Sequence, residues 1–563
     1  MKIFKTTNFL YLILGVSILT STSCTDLDEK WYSEVTPETY FTSKESINSV
    51  LVRSFTHWRW YQTLDRYRLQ ELTTDEMATT QKGPHFESGG IYKRLHYHTW
   101  TPDETSISET WRGTGMGIAL AMESKEDLAN VDYERFGYTN EIKQAHQMQL
   151  QTLIAYFYLK GLDFFGGMPI FFSTEESNIP RSTAEETFRH IEKLLLDAIP
   201  ALPLKIAGFP EDGLVRRAAA ATLLAQLYFN AEAYIGKPMF EECAVICQDI
   251  IDGKYGSYRL DENWYGPFHF LNDKSPEIIW SAVSQNAKYE FNWFWDRFYP
   301  YEAYKYFNIE TGASNGKHLQ PSLKPNGQLY EFKLGKPFSK FHSSDLRKKP
   351  YVYRGSMNYE GMFLMGALTN PITGISALGV EEYKGQVLNM VDQVAQFKKV
   401  GQEYSSVEDL PSTMSTGEEN SGIRLVKMPQ PNIADKSIRY NSDYPVIRLA
   451  EIYYMLAECK FRNSDKEGAA QLFNQVRARN FPNRVDPNPV TVENIDKYRI
   501  LDEWMIEFLG EGRRRTDLIR WDAFTTEEWW DHKPTLKEHL KRFPIPTSAI
   551  SGSNILKQNP GYN

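Results

Sequence analysis

Basic residues are too few in this chain for a polyanionic partner: 63 Lys and Arg stand against 72 Asp and Glu, a net charge of −9. A protein that neutralises nucleic-acid phosphates needs a basic face, so that class of partner falls away. Cysteine is scarcer still, with four in 563 residues, which excludes a disulfide-stapled scaffold. Beyond residue 24 no uninterrupted apolar run reaches the roughly 18 residues that a membrane-spanning helix requires. A nucleophile elbow, a phosphate loop and an HExxH pair are all missing. Hydrolysis would then rest on two carboxylates, whose separation only the fold can set. The many Asp and Glu residues read instead as solvated helix faces.

What the chain has in quantity is aromatic side chains, 14% of all residues with 13 Trp among them. Such a content suits a surface that handles flat or ring-shaped ligands, the alternative being an aromatic core. The first residues bear on the compartment. Lys2 and Lys5 precede an apolar run from Phe9 to Leu19, and Ser21, Thr22 and Ser23 lead to Cys24. This reads as a secretory signal peptide over residues 1–23, with an exported mature chain from 24 to 563. Cys24 resembles the lipidated cysteine of bacterial lipoproteins, although Ser21 stands where that pattern has Leu; the alternative is a plain thiol after an ordinary leader. Each buried acyl CH2 contributes about 0.8 kcal/mol, so a multiply acylated Cys24 would be a lasting membrane anchor. Asp26, Asp28 and Glu29 resemble the acidic tag that sends such lipoproteins to the cell surface in Bacteroidetes. Cys243, Cys247 and Cys459 then remain, an odd number, and read as small buried hydrophobes.

Apolar periodicity predicts helices near Ser43–Trp60, Ile118–Leu128, Glu141–Phe164, Ala184–Ile199, Leu214–Tyr234 and Phe240–Ile251. Arg217 to Tyr234 alternates small and large residues as interlocking helix hairpins of the tetratricopeptide type do. From about residue 252 to 444 Gly, Pro, Asn and aromatics take over and the period lapses. Such a length on a helical scaffold predicts binding loops, since its aromatic content argues against disorder. Helices resume at Pro445, continue through Lys466–Arg479, and close with the stretch YRILDEWMIEFLGEGRRRTDLIRWD from Tyr498. Ile500, Leu501, Trp504, Met505, Phe508 and Leu509 form one stripe there, with Asp502, Glu503, Glu507 and Glu511 off it. Gly512 supplies a left-handed stop, and Arg513 to Arg515 would complement the negative helix end.

That closing stretch, with Glu511-Gly512, Arg514 and Asp517-Leu518-Ile519-Arg520-Trp521, resembles the C-terminal signature of the SusD/RagB family. PVIRLAEIYYMLAEC (445–459) resembles the family's helix before that signature, FPIPTSAI and LKQNPGY (543–562) its closing segment, and QMQLQTLIAYFYLKGLDFFGGMPIFF (147–172) its N-terminal core helix and Gly-Gly-Pro turn; the segment CTDLDEKWYSEVTPETYFTS after the leader joins these matches. The five segments come in the family's order and reach both ends of the chain. The resemblance implies a mostly α fold: a scaffold of about four tetratricopeptide-like hairpins (about 40–251 and 445–522), an inserted irregular lobe (252–444) and a C-terminal segment (523–563), all one unit. It further implies a non-enzymatic outer-membrane protein, facing the cell exterior, that binds oligo- or polysaccharide without a cofactor and partners a TonB-dependent transporter of the SusC type. A surface protein for another nutrient such as peptides, or a glycoside hydrolase, is the alternative.

Lys288 to Phe307 carries eleven aromatics on both the period-2 and period-3.6 positions, so one face cannot bury them all. Trp293, Trp295 and Tyr299 are the candidates from it. Thr56–Arg68 and Gly89–Trp100 form a second aromatic group, from which the family's converging loops make Trp60, Tyr92 and Trp100 candidates, each of them open to a core role. Asp75 and Arg354 could hydrogen-bond sugar hydroxyls. His96 and His98, two apart, would share one side of a strand as a metal pair, but no third ligand follows at a useful spacing, and no metal is expected.

Overall fold

The structure, a computed structural model, describes residues 37–562 apart from 207, 209, 311 and 312. Cys24 therefore lies outside the described residues. Residues 37–46 belong to a small unit of their own, in which a short helix at Pro37–Tyr40 precedes a Ser46 hydroxyl that donates to the Ser43 carbonyl at 2.7 Å. The account below concerns the unit from Ile47 to Tyr562.

Helix α1 (Lys44–Tyr61) buries Ile47, Val50, Leu51, Ser54, Phe55, Trp58 and Tyr61, the single stripe that its period predicts. Next come α2 (Leu64–Glu71), α3 (Thr105–Ala129), α4 (Asn140–Phe165), α5 (Ala184–Ala198), α6 (Arg217–Phe229) and α7 (Phe240–Ile251). Helix α3 starts thirteen residues before the expected Ile118, because its first half buries small residues, Ser106, Thr110, Gly113, Thr114 and Gly117, that no hydropathy pattern marks. These let α4 approach closely: a β-carbon on Gly117 would lie 2.4 Å from the Phe157 ring. A Thr183–Glu186 capping box starts α5.

Consecutive helices from α3 to α7 pack as neighbours, and α7 then packs on α8 (Leu449–Arg462), which packs on α9 (Lys466–Arg477). The array thus runs straight across the 252–444 region, which is inserted between two adjacent members. The predicted helical scaffold with an irregular inserted lobe is the observed architecture. Five two-stranded ladders are described, most of them within or at the edge of that lobe. Cys243, Cys247 and Cys459 are free and buried, as expected, between α7 and α8.

Three expectations fail for physical reasons. Helix α8 begins at Leu449, not Pro445, since Tyr444–Arg448 is a strand antiparallel to Ile278–Ala282; Pro445 lacks an N–H and Val446 and Ile447 are β-branched. The closing stretch is two helices, α10 (Lys497–Phe508) and α11 (Arg514–Arg520), turned at Gly510 and Gly512 with φ of +75° and +76°. Arg513 to Arg515 therefore stand at the start of a helix, against the dipole, and are held by buried acids instead: Arg513 by Glu451 at 2.8 Å, Arg514 by Asp75 and Arg515 by Asp163 at 3.2 Å.

The acids of α10 are likewise not a solvated face. Glu507 accepts from Arg448 at 2.8 Å, Arg479 at 2.9 Å and Arg347 at 2.9 Å, all nearly enclosed. These three cations hold its carboxyl far below the usual range despite burial. Glu503 is paired to Arg477 and Arg499 in the same way. Arg347 belongs to the inserted lobe, so the network ties the lobe to the scaffold. Among the described residues no helix is long and apolar enough to cross a bilayer.

Candidate functional site

Trp60 is 44% exposed because it lies off the α1 stripe, two residues past the buried Trp58. Trp58 stacks on Trp280 with centroids 4.1 Å apart and planes 15° from parallel, so the core takes that ring and leaves the next. The Trp60 ring rests against α3 at Gly113, where a β-carbon would sit 3.1 Å from it. His57 backs it, with ring centroids 5.4 Å apart and its Nε2 2.7 Å from the Gly113 carbonyl; burial lowers the affinity of this imidazole for a proton. Arg112 lies over the ring with Cζ 5.9 Å from the centroid, while its Nε donates to Glu109 at 3.1 Å.

A cleft beneath Trp60 is lined by Tyr61, Thr63, Asp65, Arg66, Glu109 and Thr110. Asp65 accepts from Arg68 and from Ser106, each at 3.0 Å, and Arg68 in turn lies over the Tyr92 ring at 6.0 Å. Tyr92 is half-buried against Ala78, Val394, Met414 and Trp530. The same neighbourhood receives the middle lobe: Arg59 Nη2 donates to the Tyr289 carbonyl at 2.8 Å and its guanidinium covers the Phe291 ring at 5.5 Å. Tyr289 is 46% exposed. The two aromatic groups, some 230 residues apart in sequence, thus meet where Arg59 binds the Tyr289 carbonyl, and each has an exposed ring, Trp60 and Tyr289.

Other expected site residues do not join this face. Trp295 is fully enclosed and stacks on Phe298 at 5.0 Å, edge-on to Tyr67; Tyr299 is enclosed against Phe307. These rings fasten the lobe to α2, and burial pushes the Tyr299 hydroxyl well up. The side chain of Trp293 lies outside those described. Asp75 is spent on Arg514 and on the Gly335 N–H at 2.8 Å. Arg354 is exposed but belongs to the hairpin of Val352–Gly355 with Asn358–Glu360, where its Nε donates to Glu360 at 3.0 Å. Trp100 is buried and donates to the Tyr562 hydroxyl at 2.9 Å.

His96 and His98 are on no strand. His96 ends a short helix, and His98, at φ +53°, stacks on Phe524; their Nε2 atoms meet the Trp530 and Thr73 carbonyls. No group of three ligands fit for a metal occurs among the described residues. Two acids do face each other: Glu71 and Glu76, both enclosed, where burial pushes both carboxyls up, the charge of Glu71 raises Glu76 further, and the hydrogen bond with Glu76 lowers Glu71. Backbone N–H groups donate to them, Gly512 to Glu71 at 2.6 Å and Gly510 to Glu76 at 3.3 Å, and both side chains are buried. Sequence reasoning missed Arg112 as a partner of Trp60 and Arg59 as the link to Tyr289; the one available signal was that Arg59-Trp60 falls on the polar side of an otherwise regular stripe.

A family model described as "SusD family" matches residues 276–562, and another described as "Starch-binding associating with outer membrane" matches residues 27–229. The starch-binding protein SusD of Bacteroides thetaiotaomicron is 32% identical over 152 residues, 25% of this chain and 26% of that protein. The SusD-like protein P25 of Formosa agariphila is 30% identical over 141 residues, 23% of this chain and 26% of its own. The chain thus spans about a quarter of the length of the curated relatives it matches. Among solved structures, the surface glycan-binding protein A from Bacteroides fluxus superposes with a TM-score of 0.62 at 20% identity, covering 92% of this chain and 100% of that one. A laminarin-binding SusD-like protein superposes with a TM-score of 0.62 at 16% identity and the same coverages. At such identities the likeness is one of fold.

Proposed function

The chain belongs to the SusD family, and on that premise we propose that it is a surface lipoprotein which holds oligo- or polysaccharide at the Trp60–Tyr289 face and passes it to a SusC-type TonB-dependent transporter. The observation that carries the reading is the pair of exposed rings joined through Arg59. Sugars present C–H faces that pack on aromatic rings, and their hydroxyls need donors and acceptors near the ring, here Glu109 and Asp65 in the cleft and Arg112 over the Trp60 ring. The names of relatives, a starch-binding protein and glycan- and laminarin-binding proteins, support carbohydrate as the ligand class.

Retention is the task in this reading, and cleavage is not. The facing acids Glu71 and Glu76 are sealed in the interior, and the other interior acids described above are held by arginines. A shallow face of this kind binds in the micromolar to millimolar range, roughly 4 to 8 kcal/mol. Many copies anchored through Cys24 on one outer membrane then raise retention of a long polymer by avidity. The helical array would be the side turned to the transporter.

Purified protein lacking residues 1–24, run through native gels cast with a panel of plant, host and microbial glycans, tests the reading. Retardation by at least one glycan, without release of reducing ends, is the expected result. Free migration through every glycan, with binding of peptides or another nutrient instead, would replace it.

A further inference from the structure

Between α2, α4, α6, α8 and the turn at Gly512 lies a cavity of about 90 Å³, several of whose lining residues, Lys160 among them, are partly exposed. A water needs about 10–15 Å³ of such space, so the cavity has room for several waters or one small ion. Its acids are already matched. Asp163 accepts from Gln70 at 2.8 Å, Tyr234 at 3.1 Å, Thr516 at 3.1 Å and Arg515 at 3.2 Å. Glu451 is held by Arg513 and Gln226, each at 2.8 Å, and Glu511 by Arg448 at 2.8 Å.

Its cations are not all matched. Arg448 and Arg513 have those acids, but Arg66 and Lys160 form no ion pair among the described residues. Arg66 is 6% exposed; its one hydrogen bond goes to the Gly512 carbonyl at 3.3 Å, and its Nε has no partner. Lys160 Nζ has only the Tyr156 ring, 5.2 Å from the centroid. An enclosed charge such as Arg66 costs several kcal/mol unless it is paired, and the half-buried Lys160, of the same sign, borders the same space. Burial first, and Arg66 second, lower the Lys160 ammonium to about 8, against the opposing pull of Asp163 and Glu451.

We infer that this cavity is a binding site for a small oxyanion, held by the guanidinium of Arg66 and the ammonium of Lys160. A planar guanidinium meets two oxygens of a carboxylate or phosphate at once, and a lysine adds a point charge beside it. The amides of Gln62, Gln70 and Asn230 line the same space and already donate within the protein, to Trp58 and Tyr156, to Asp163 and to Gln226. Free phosphate, a small carboxylate and the carboxylate of an acidic sugar share this chemistry. Arg66 also floors the cleft beneath Trp60, so the test is carried by Lys160.

The test measures thermal unfolding of the mature protein against inorganic phosphate, acetate and glucuronate, each titrated against chloride at fixed ionic strength, for wild type, Lys160→Met and Lys160→Arg. A ligand that binds only the folded chain raises the melting temperature saturably. The inference expects such a rise with at least one oxyanion in wild type, binding about tenfold weaker or more in Lys160→Met, and recovery in Lys160→Arg. Which oxyanion acts identifies the source. Bromide soaked into wild-type crystals should also give anomalous density between Arg66 and Lys160, which keeps the site testable if Lys160→Met does not fold. Equal responses of wild type and Lys160→Met, or water alone around Arg66 in the soaked crystals, would overturn it.

Discussion

Arg514 and Asp75 are joined by two parallel hydrogen bonds, Nε to Oδ1 at 2.7 Å and Nη2 to Oδ2 at 2.8 Å, with neither side chain exposed to solvent. The signature arginine of the closing stretch thus clasps an acid 439 positions earlier, one expected to face a ligand. Removing one partner of such a pair strands a buried charge, which costs about 3–5 kcal/mol. Asp75→Asn should therefore lower the urea unfolding free energy by that order, while the folded fraction keeps its migration in glycan gels. Weaker glycan binding with unchanged stability would return Asp75 to the surface site.

Trp60 and Trp295 separate a binding role from a packing role. Trp60→Ala removes an exposed ring, so the melting temperature should hold, while retention by a glycan ligand falls about tenfold, roughly 1.4 kcal/mol. Tyr289→Ala should act in the same direction. Trp295→Ala opens a cavity beside Phe298 and Tyr67 and should cost about 3–5 kcal/mol of stability. If Trp60→Ala and Tyr289→Ala both migrate as wild type with a known ligand in the gel, the face is misassigned.

Histidines buried without charge give the fold an acid-side weakness. Burial, its largest cause, takes His96 down to about 3 and His532 to about 4, while His98 falls well below its ordinary value. Unfolded, each binds a proton near pH 6.5. Below that pH the unfolded chain holds more protons than the folded one, so stability rises with pH and is lost as pH falls from about 6.5 toward the folded values. Asp392 and Asp443, pushed up to about 7 by burial, act in the opposite sense over this window, so the histidine share must be read as a difference. His532→Gln should flatten the slope of unfolding free energy between pH 6.5 and 5 by up to about 1.4 kcal/mol per pH unit. An unaltered slope would mean that His532 is solvated.

The scaffold was legible where apolar content is dense: α1, α4, α5 and α7 fall within a residue or two of their expected bounds, α1, α5 and α7 because each turns an apolar stripe inward and α4 because it is buried almost all round from Gln149 onward. Helix α3 was legible only in its second half, because Gly113 and Gly117 are chosen for the absence of a side chain. The site was legible by region and not by residue. Trp58, Trp60 and Trp295 are chemically alike, and only the stripe of α1 separates the first two; Trp295 sits in a 3-10 turn with no period to read. The arginine network was invisible for a related reason. Glu507 and Glu511 look like a helix's wet side until Arg347, Arg448, Arg479 and Lys427 arrive from distant positions.

The anchor is checked apart from the ligand. Cys24→Ala removes the thiol that would carry the acyl chains, and no helix among the described residues could replace them in a bilayer. The variant should leave the outer-membrane fraction and lose label from a fatty-acid feed, while the purified body keeps its melting temperature. Membrane retention without label would point to a protein partner as the tether.

Gly117 tests whether the hairpin array depends on close approach more than on apolar area. Its missing side chain lets the Phe157 ring of α4 lie where a methyl group would come within 2.4 Å, and the ring is itself enclosed between α3 and α1 residues such as Tyr61, 5.3 Å away. Helix propensity alone favours alanine over glycine by about 1 kcal/mol, so an α3 free of α4 would gain from Gly117→Ala. In the array the methyl must push Phe157 aside, and overpacking of this kind costs about 1–3 kcal/mol. The expected outcome of urea unfolding is net destabilisation, relieved in the double variant Gly117→Ala with Phe157→Leu. A more stable single variant would show that α3 and α4 separate easily, and that the insertion network around Glu507, not the hairpin contact, holds this half of the scaffold.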